Sequence, residues 1–498
     1  MICVSIGRSR HKHMIAEHKA LVERGAKLVE LRLDYVASRV NLQRLLKDRP
    51  CPVVVTVRRE VDGGKFTGEE DQRMMMIREA IALGVDYIDL EDDIAASVPR
   101  YGVTKRIISH HNFRNTPANL PELHAKLAAM DADIVKIATM AQHPHDNMRM
   151  LHLVQNAEVP TVGMCMGDIG TPSRILCGKV GAPFTYSTFH HERALAPGQL
   201  SFQQMTEIYR YDELGPKTDI YGVVADPVAH SLSPHIHNAA IQAAGIDAVY
   251  CPFRVPVDDL EQFIRDVPKL GLKGLSVTIP HKESVSRHLT KIDPAAKGIA
   301  AVNTVVFKDG QVVGYNTDYK AAMDSLENGM GAEPGTPPEE SPLKGKRVLV
   351  LGAGGVSRAI MYGLKKRGAK AMIASRTRSR AEALAEEFNG RSVEWNARHH
   401  GDVDVLVNGT PIGMHPNVDE SPYNKSYLRP GMVVFDTVYN PESTLLIKEA
   451  RDHGCTTVTG VEMFVRQASL QFQLFFGRPA PGDVMRETLK RVIGPVKY

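Results

Sequence analysis

A lysine interrupts an otherwise apolar run, Ile134-Val135-Lys136-Ile137-Ala138. The run reads as a buried strand, where an ammonium is costly and burial lowers its pKa. A neutral amine in that position can attack a ketone and form a Schiff base. A lysine paired with an inward carboxylate accounts for the same residue, and from this stretch alone the two readings are even. A second run closes on Ser109-His110-His111, and strand alternation sends the two histidines to opposite faces. Further along, Arg347–Leu351 runs straight into Gly352-Ala353-Gly354-Gly355-Val356-Ser357, a G-x-G-x-x-S loop between strand and helix. Gly352 permits the tight turn, and Gly354 lets the backbone approach a pyrophosphate facing the helix N-terminus. The next strand ends in Ser375-Arg376-Thr377-Arg378-Ser379-Arg380. An NAD site has an acid about 20 residues past the glycines; arginines there suit a 2′-phosphate, which predicts NADP(H) bound through Ser375, Arg376, Thr377 and Arg380. Arg378 reads equally well as a solvated helix start. Ser231 and Ser233 offer hydroxyls just ahead of a helix that begins at Pro234, a fair place for a carboxylate.

The elements that must hold these groups alternate regularly. Strands are expected at 2–7, 28–35, 51–59, 87–92, 105–113, 134–140, 160–167 and 184–189, with helical patterns in most gaps; 93–104 is the weakest helix. Eight strands over residues 1–210 close naturally into a (β/α)8 barrel, an open doubly wound sheet being the alternative. Residues 211–219, with Gly215-Pro216, read as a linker. A shorter α/β domain follows over 220–317, with strands at 220–225, 248–255 and 272–279 and a hairpin at Asp309-Gly310. A Rossmann-like domain covers 318–466 and helices 467–498 return to the preceding domain. Residues 329–342, dense in Gly, Pro and acid, read as a mobile surface loop. The fold class is therefore α/β throughout.

The chain is long enough, at 498 residues, for two to four domains. A net charge of +4 leaves no footprint for nucleic acid but suits small anionic substrates. Six scattered cysteines without a CxxC pair read as reduced core thiols of a cytoplasmic protein. No signal-like or membrane-spanning apolar run is present. The paired histidines lack i, i+4 zinc spacing with a third ligand, so no metal is expected. Oligomeric state stays open, a homo-oligomer included.

Residues 220–490 resemble shikimate dehydrogenase, of the plant-type fused enzymes. The matching stretches are Ser231-Leu232-Ser233-Pro234, Ser276-Val277-Thr278-Ile279-Pro280-His281-Lys282, Ala301-Val302-Asn303-Thr304, Gly314-Tyr315-Asn316-Thr317-Asp318, Asn408-Gly409-Thr410-Pro411 and Gly460-Val461-Glu462-Met463. The resemblance implies Lys282 and Asp318 as the acid–base pair of ketone reduction, chemistry that a lysine held by a carboxylate can serve. It also implies substrate contacts from Ser231, Ser233, Thr278, Asn303 and Gln467, and places Tyr439 and Gly460 near the nicotinamide. Ser276 replaces the bacterial Asn, as in plant-type relatives.

Residues 1–205 resemble type I 3-dehydroquinate dehydratase through Glu30-Leu31-Arg32-Leu33-Asp34, Thr56-Val57-Arg58, Ser109-His110-His111, the Lys136 strand, Ser173-Arg174 and Ala196-Pro197-Gly198-Gln199. The resemblance decides for the imine at Lys136 and implies His111 as base and acid. Glu30, Arg32 and Arg58 suit substrate hydroxyls, and Arg174 and Gln199 its carboxylate. Asp62 stands where the family usually has Glu, and Leu195 where many members have Ser or Thr. The two resemblances together imply consecutive steps: dehydration of 3-dehydroquinate to 3-dehydroshikimate, then its reduction to shikimate with NADPH. A quinate dehydrogenase is the rival enzyme. A ligand-sensing regulator is the rival of another class, and retention of Lys136, His111, Lys282 and Asp318 argues against it.

Overall fold

The computed structural model describes residues 1–190, 193–333 and 335–494. Pro334, within the expected loop 329–342, and residues 495–498 of the C-terminal segment lie outside the described residues. The chain forms two compact units, Met1–His230 with Asp247–Leu272, and Ser231–Ile246 with Lys273–Tyr498.

In the first unit eight parallel strands make one sheet: β1 Ile2–Ile6, β2 Leu28–Arg32, β3 Val53–Thr56, β4 Tyr87–Glu91, β5 Lys105–Asn112, β6 Ile134–Met140, β7 Thr161–Met166 and β8 Thr185–Thr188. Their order is β7-β6-β5-β4-β3-β2-β1-β8, so β1 pairs with both β2 and β8 and the sheet curls into a nearly closed barrel. The strands are runs of Val, Ile and Leu because both faces are covered. Inward positions follow the two-residue period. A first interior layer holds Cys3, Leu28, Val54, Ile107, Ile134, Val162 and Phe184, tightly clustered. Two residues further along each strand stand Ser5, Glu30, Thr56, Ser109, Lys136, Met164 and Tyr186. The apolar layer thus forms a floor, and the polar layer above it points to the C-terminal end of the barrel, where such enzymes build their sites.

The connection 93–104 carries only a short 3-10 turn at Ala95–Ser97, which is too brief for a covering helix. Residues 211–219 are no free linker. Tyr211 is buried against Cys177, its hydroxyl 3.3 Å from the thiol, and Lys179 donates to the carbonyls of Pro216 and Thr218 at 2.7 and 2.8 Å. The same unit contains β9 Asp219–Ala225 and β10 Ala248–Arg254, paired in parallel, and the helix Leu260–Asp266.

In the second unit, β11 Leu272–Val277 runs antiparallel to β13 Thr304–Lys308, and β13 turns at Asp309-Gly310, both at positive φ, into β14 Gln311–Tyr315. The two-residue β12 Lys291–Ile292 adds to β14. The helix Asp318–Gly329 leads to a six-stranded parallel sheet made of β15 Arg347–Leu351, β16 Lys370–Ser375, β17 Arg391–Glu394, β18 Val405–Asn408, β19 Val433–Asp436 and β20 Thr456–Val458. Its order, β17-β16-β15-β18-β19-β20, reverses direction at β15, the switch point where doubly wound sheets bind ligands. One continuous helix, Gly460–Phe476, spans the expected boundary at 466/467, so Gln467 stands in its middle.

Candidate active sites

The barrel mouth forms a narrow cleft open to solvent. Every residue expected there lines it: Glu30, Arg32, Arg58, Asp62, His111, Lys136, Arg174 and Gln199, together with Leu195. Lys136 is buried and donates to Asp89 at 2.9 Å, lies 3.9 Å from Glu30, and sits 4.1 Å from the centre of the Tyr186 ring. The inward carboxylate partner of the plainer reading is therefore real, and it coexists with an amine at the cleft. Asp89 is wholly buried, yet Arg58 at 2.8 Å and Lys136 overcome that burial and hold it well below the usual carboxylate range. Ser109 donates to the same carboxylate at 2.6 Å, and Arg58 continues to Glu91 at 2.9 Å, which Arg73 meets from the other side at 2.8 Å. Asp89, Glu91, Ser109 and Arg73 escaped the sequence reading, since cross-strand ion pairs exist only once the register of β3, β4 and β5 is known.

His111 follows Ser109 by two residues and faces the cleft, while His110 turns away to Asp92 at 3.5 Å. Burial, joined by the charges of Arg58 and Lys136, pushes the His111 imidazole well below its ordinary range, so it is neutral and carries a free basic nitrogen. Glu30 accepts from Ser5 and Thr56 at 2.6 and 2.7 Å, and Arg32 is fixed by Asp34 at 2.8 Å. Asp62 accepts from Arg59 at 2.7 Å, so its shorter side chain is held at the rim.

Arg174 stands apart from these pairs. It is buried, its Nε has no hydrogen-bond partner, and its terminal nitrogens reach only the Pro197 carbonyl at 3.0 Å and Met164 sulfur at 3.3 Å. Burial lowers it to about 10. A guanidinium left in this condition is a receptor for an anion that the fold does not itself supply. The loop Ala196–Gln199 closes beside it because Gly198, at φ +70°, passes where a Cβ would lie 2.4 Å from the Gly167 carbonyl oxygen. Gln199 accepts from the Leu195 N–H at 2.9 Å and so braces the loop from within.

In the second unit Lys282 donates to Asp318 at 2.6 Å, the lysine 17% exposed and the carboxylate buried. Asn303 donates to Asp318 at 2.9 Å and accepts from the Thr317 N–H at 2.8 Å, fixing the carboxylate where the helix Asp318–Gly329 begins. Gln471, which the sequence reading missed, joins Ser276 at 2.7 Å to the Asn303 carbonyl at 3.0 Å. It lies one helical turn beyond Gln467, and that i, i+4 spacing was the available signal. Gln467 donates to the Phe464 carbonyl at 2.9 Å, and its own carbonyl accepts from Thr317. Ser231 accepts from the Ser233 N–H at 3.4 Å, and Thr278 follows β11.

The nucleotide loop fits a dinucleotide. Gly352 has φ +97°, and a Cβ there would come 2.9 Å from the Gly409 carbonyl oxygen. Around Gly354 nothing lies within 4 Å of a Cβ position, and no side chain caps the helix Gly355–Lys366. Its first-turn N–H groups, with Ala353 and Val356 beside them, are open to a phosphate. A Cβ on Gly355 would sit 3.3 Å from the Lys282 side chain, which brings the loop to the lysine. Beyond β16, Arg378 is engaged by Glu382 at 2.7 Å and by Glu394 at 2.5 Å, whereas Arg376 and Arg380 are exposed and form no ion pair among the described residues. Ser375 accepts from the Thr377 N–H at 3.2 Å. Tyr439 stacks on Phe464 at 4.1 Å, and Gly460 lies where a Cβ would be 2.3 Å from the Val438 carbonyl oxygen. Among the described residues no three His, Cys, Asp or Glu side chains form a metal-holding group, and no helix is long and apolar enough to cross a membrane.

Family models match in the same places: type I 3-dehydroquinase over residues 2–216, the shikimate dehydrogenase substrate binding domain over 223–305, shikimate/quinate 5-dehydrogenase over 338–410 and the shikimate 5′-dehydrogenase C-terminal domain over 460–490. The chain is 39% identical to the chloroplastic bifunctional 3-dehydroquinate dehydratase/shikimate dehydrogenase of Arabidopsis thaliana, over 99% of this chain and 84% of that protein. It is 40% identical to the NADP(+) shikimate dehydrogenase of Methanopyrus kandleri over 55% of this chain and 95% of the relative. A crystal structure of a shikimate dehydrogenase in complex with NADP+ superposes with TM-score 0.52 at 36% identity, covering 56% of this chain and 97% of that one. With both site geometries and this near full-length likeness in agreement, the chain belongs to the family of bifunctional 3-dehydroquinate dehydratase/shikimate dehydrogenases.

Proposed function

We propose that the two sites catalyse consecutive steps, dehydration of 3-dehydroquinate and reduction of the 3-dehydroshikimate so formed. The observation that carries the reading is the convergence of Lys136, neutral His111 and the uncompensated Arg174 on one cleft. Arg174 takes the substrate carboxylate, with Gln199 beside it. Lys136 Nζ adds to the ketone carbon; a C–N bond forms, water departs and a protonated imine remains. Asp89, in contact with Nζ, is the counter-ion of that cation and acts as a positioning residue. The imine acidifies the neighbouring C–H, and His111 removes the proton. His111 then returns a proton to the departing hydroxyl, which leaves as water. Hydrolysis of the imine frees the product and restores the amine. Glu30, Arg32 and Arg58 hold the hydroxyls, with Asp62 at the rim.

In the reductive step Lys282, held by Asp318, gives a proton to the carbonyl oxygen as it gains charge. Asn303 keeps Asp318 in place. Ser231 and Ser233 suit the substrate carboxylate, and Thr278 and Gln467 its hydroxyls. Gly352–Val356 would hold NADPH, with Arg376 and Arg380 taking its 2′-phosphate, and the bound cofactor would supply the hydride. Tyr439 and Gly460 would border its nicotinamide end, and the exposed part of Lys282 lets solvent reprotonate the amine.

Mixing the full-length protein with 3-dehydroquinate and NADPH tests the series. Loss of nicotinamide absorbance is expected, because reduction can begin only after dehydration. Oxidation of NADPH by added 3-dehydroshikimate but not by 3-dehydroquinate would overturn the dehydratase assignment.

A further inference from the structure

Among the described residues neither ring nitrogen of His111 forms a hydrogen bond. Glu30 and Asp62 line the same cleft, but their carboxylates are taken by Ser5 and Thr56 and by Arg59. An imidazole without an orienting bond can turn about its side-chain torsions, whereas a base must meet its proton at hydrogen-bond distance. The ring contact that His111 does make is with Phe113, the centroids 6.2 Å apart and the planes within 15° of parallel. That is the offset stack that aromatic rings favour.

The placement of Phe113 is itself determined. Ser109, His111 and Phe113 continue one face of β5 by the two-residue period. Asn112 fixes the exit from the strand: its side-chain carbonyl accepts from the N–H groups of Arg114 and Asn115 at 2.9 and 3.1 Å. The Phe113 ring seats against Gly63, where a Cβ would lie 2.3 Å from the ring Cζ. Gly63 ends the turn Glu60–Asp62 at φ +78°, which glycine adopts without strain. At 40% exposure Phe113 is a rim residue and not part of the core, so replacing it should change the site without unfolding the barrel.

We propose that Phe113, seated on Gly63, is a positioning residue of the dehydratase, its stacked ring holding the His111 imidazole in the plane from which it takes the substrate proton. The role rests on the dehydration proposed above. Stacking restrains the plane of the imidazole and leaves both nitrogens to the substrate, so one ring can take a proton and return one to the departing hydroxyl.

The test follows dehydration of 3-dehydroquinate by the full-length protein through the absorbance of the enone product. Phe113→Leu keeps an apolar side chain without a planar face, Phe113→Tyr keeps the face, and Gly63→Ala puts a methyl into the seat of the ring from another loop. Phe113→Leu and Gly63→Ala should each lower kcat about tenfold, the scale of a misaligned proton transfer, with KM within about twofold of wild type. Phe113→Tyr should keep kcat within about twofold. The double variant Phe113→Leu/Gly63→Ala should be no slower than either single variant, because both disturb one contact. Borohydride with 3-dehydroshikimate should still label Lys136 in every variant, since that amine is untouched. A raised KM at unchanged kcat, additive losses in the double variant, equal losses in Phe113→Tyr and Phe113→Leu, or labelling lost only in the variants would each overturn the proposal. Labelling of the wild type together with unchanged kcat in Phe113→Leu and Gly63→Ala overturns it alone; no labelling of Lys136 in the wild type overturns the dehydration reading as well.

Discussion

Replacing Arg174 by Met should stabilise the first unit while crippling its dehydratase step. Burial brings Arg174 down from the ordinary arginine range to about 10. At about 1.4 kcal/mol per decade, the buried charge costs about 3 kcal/mol. Methionine replaces the aliphatic stem beside Met164, but it is shorter than arginine and forfeits the bond to the Pro197 carbonyl at 3.0 Å. A hydrogen bond from a charged donor contributes about 1.5–3 kcal/mol, leaving a net gain of about 1 kcal/mol in the variant. For a unit of this size that raises the unfolding midpoint by about 2–4 °C. Function moves the other way. The substrate carboxylate loses the one uncompensated cation that the described residues place in the cleft, a loss of about 2–5 kcal/mol for a desolvated charge pair, so KM for 3-dehydroquinate should rise about 10²-fold or more. Calorimetry with and without 3-dehydroshikimate, alongside dehydratase kinetics, reads both effects. The ligand-induced rise in midpoint should shrink in the variant, since the carboxylate no longer finds a charge to neutralise. A variant that melts lower and keeps its KM would make Arg174 a structural cation and refute the reasoning.

Three further outcomes are expected. Arg376→Ala should weaken NADPH binding about tenfold to a hundredfold and leave NADH unchanged, whereas Arg378→Ala, already held by Glu382 and Glu394, should change neither; because Arg376 is exposed, the effect should shrink at high salt, and equal effects of the two substitutions in titrations would contradict the assignment. Lys282→Ala and Asp318→Asn should each cut dehydrogenase turnover by roughly 10²-fold or more with dehydratase turnover near wild type, and normal reduction in either would remove that residue from catalysis. Burial raises Asp436 to about 6, against the hydrogen bonds it accepts from Thr444, Val438 and Asn408. A carboxyl raised on folding stabilises most at low pH, and that contribution is lost as pH climbs through about 6. Asp436→Asn should therefore match wild-type stability near pH 4 and exceed it by up to about 3 kcal/mol above pH 6; urea unfolding with parallel pH profiles for both proteins would show the carboxyl to be unperturbed.

Much of this was legible before any coordinates. The barrel strands were readable because burial on both faces demands β-branched runs, and β6 falls at 134–140 as its sequence predicts. Lys136 stood out as a lysine inside such a run. The expected barrel residues line one cleft, and Lys282, Asp318 and Asn303 meet in the second half, but their meaning changes with their neighbours. Asp89 looks like any strand carboxylate until register sets it between Lys136 and Arg58. Arg376 and Arg378 are alike in sequence, and only the placement of Glu382 and Glu394 separates a spoken-for guanidinium from an available one. Polar residues 211–219 suggested a linker because a single buried tyrosine, Tyr211, gives no periodicity. The strands β12 and β17, two and four residues long, are too short to leave a pattern.

The imine at Lys136 is the claim on which the dehydratase half stands. Borohydride added to the protein with 3-dehydroshikimate should reduce the imine to a stable secondary amine, and peptide mass spectrometry should find the adduct on Lys136 alone. Absence of an adduct under turnover conditions, or its appearance on another lysine, would contradict the account.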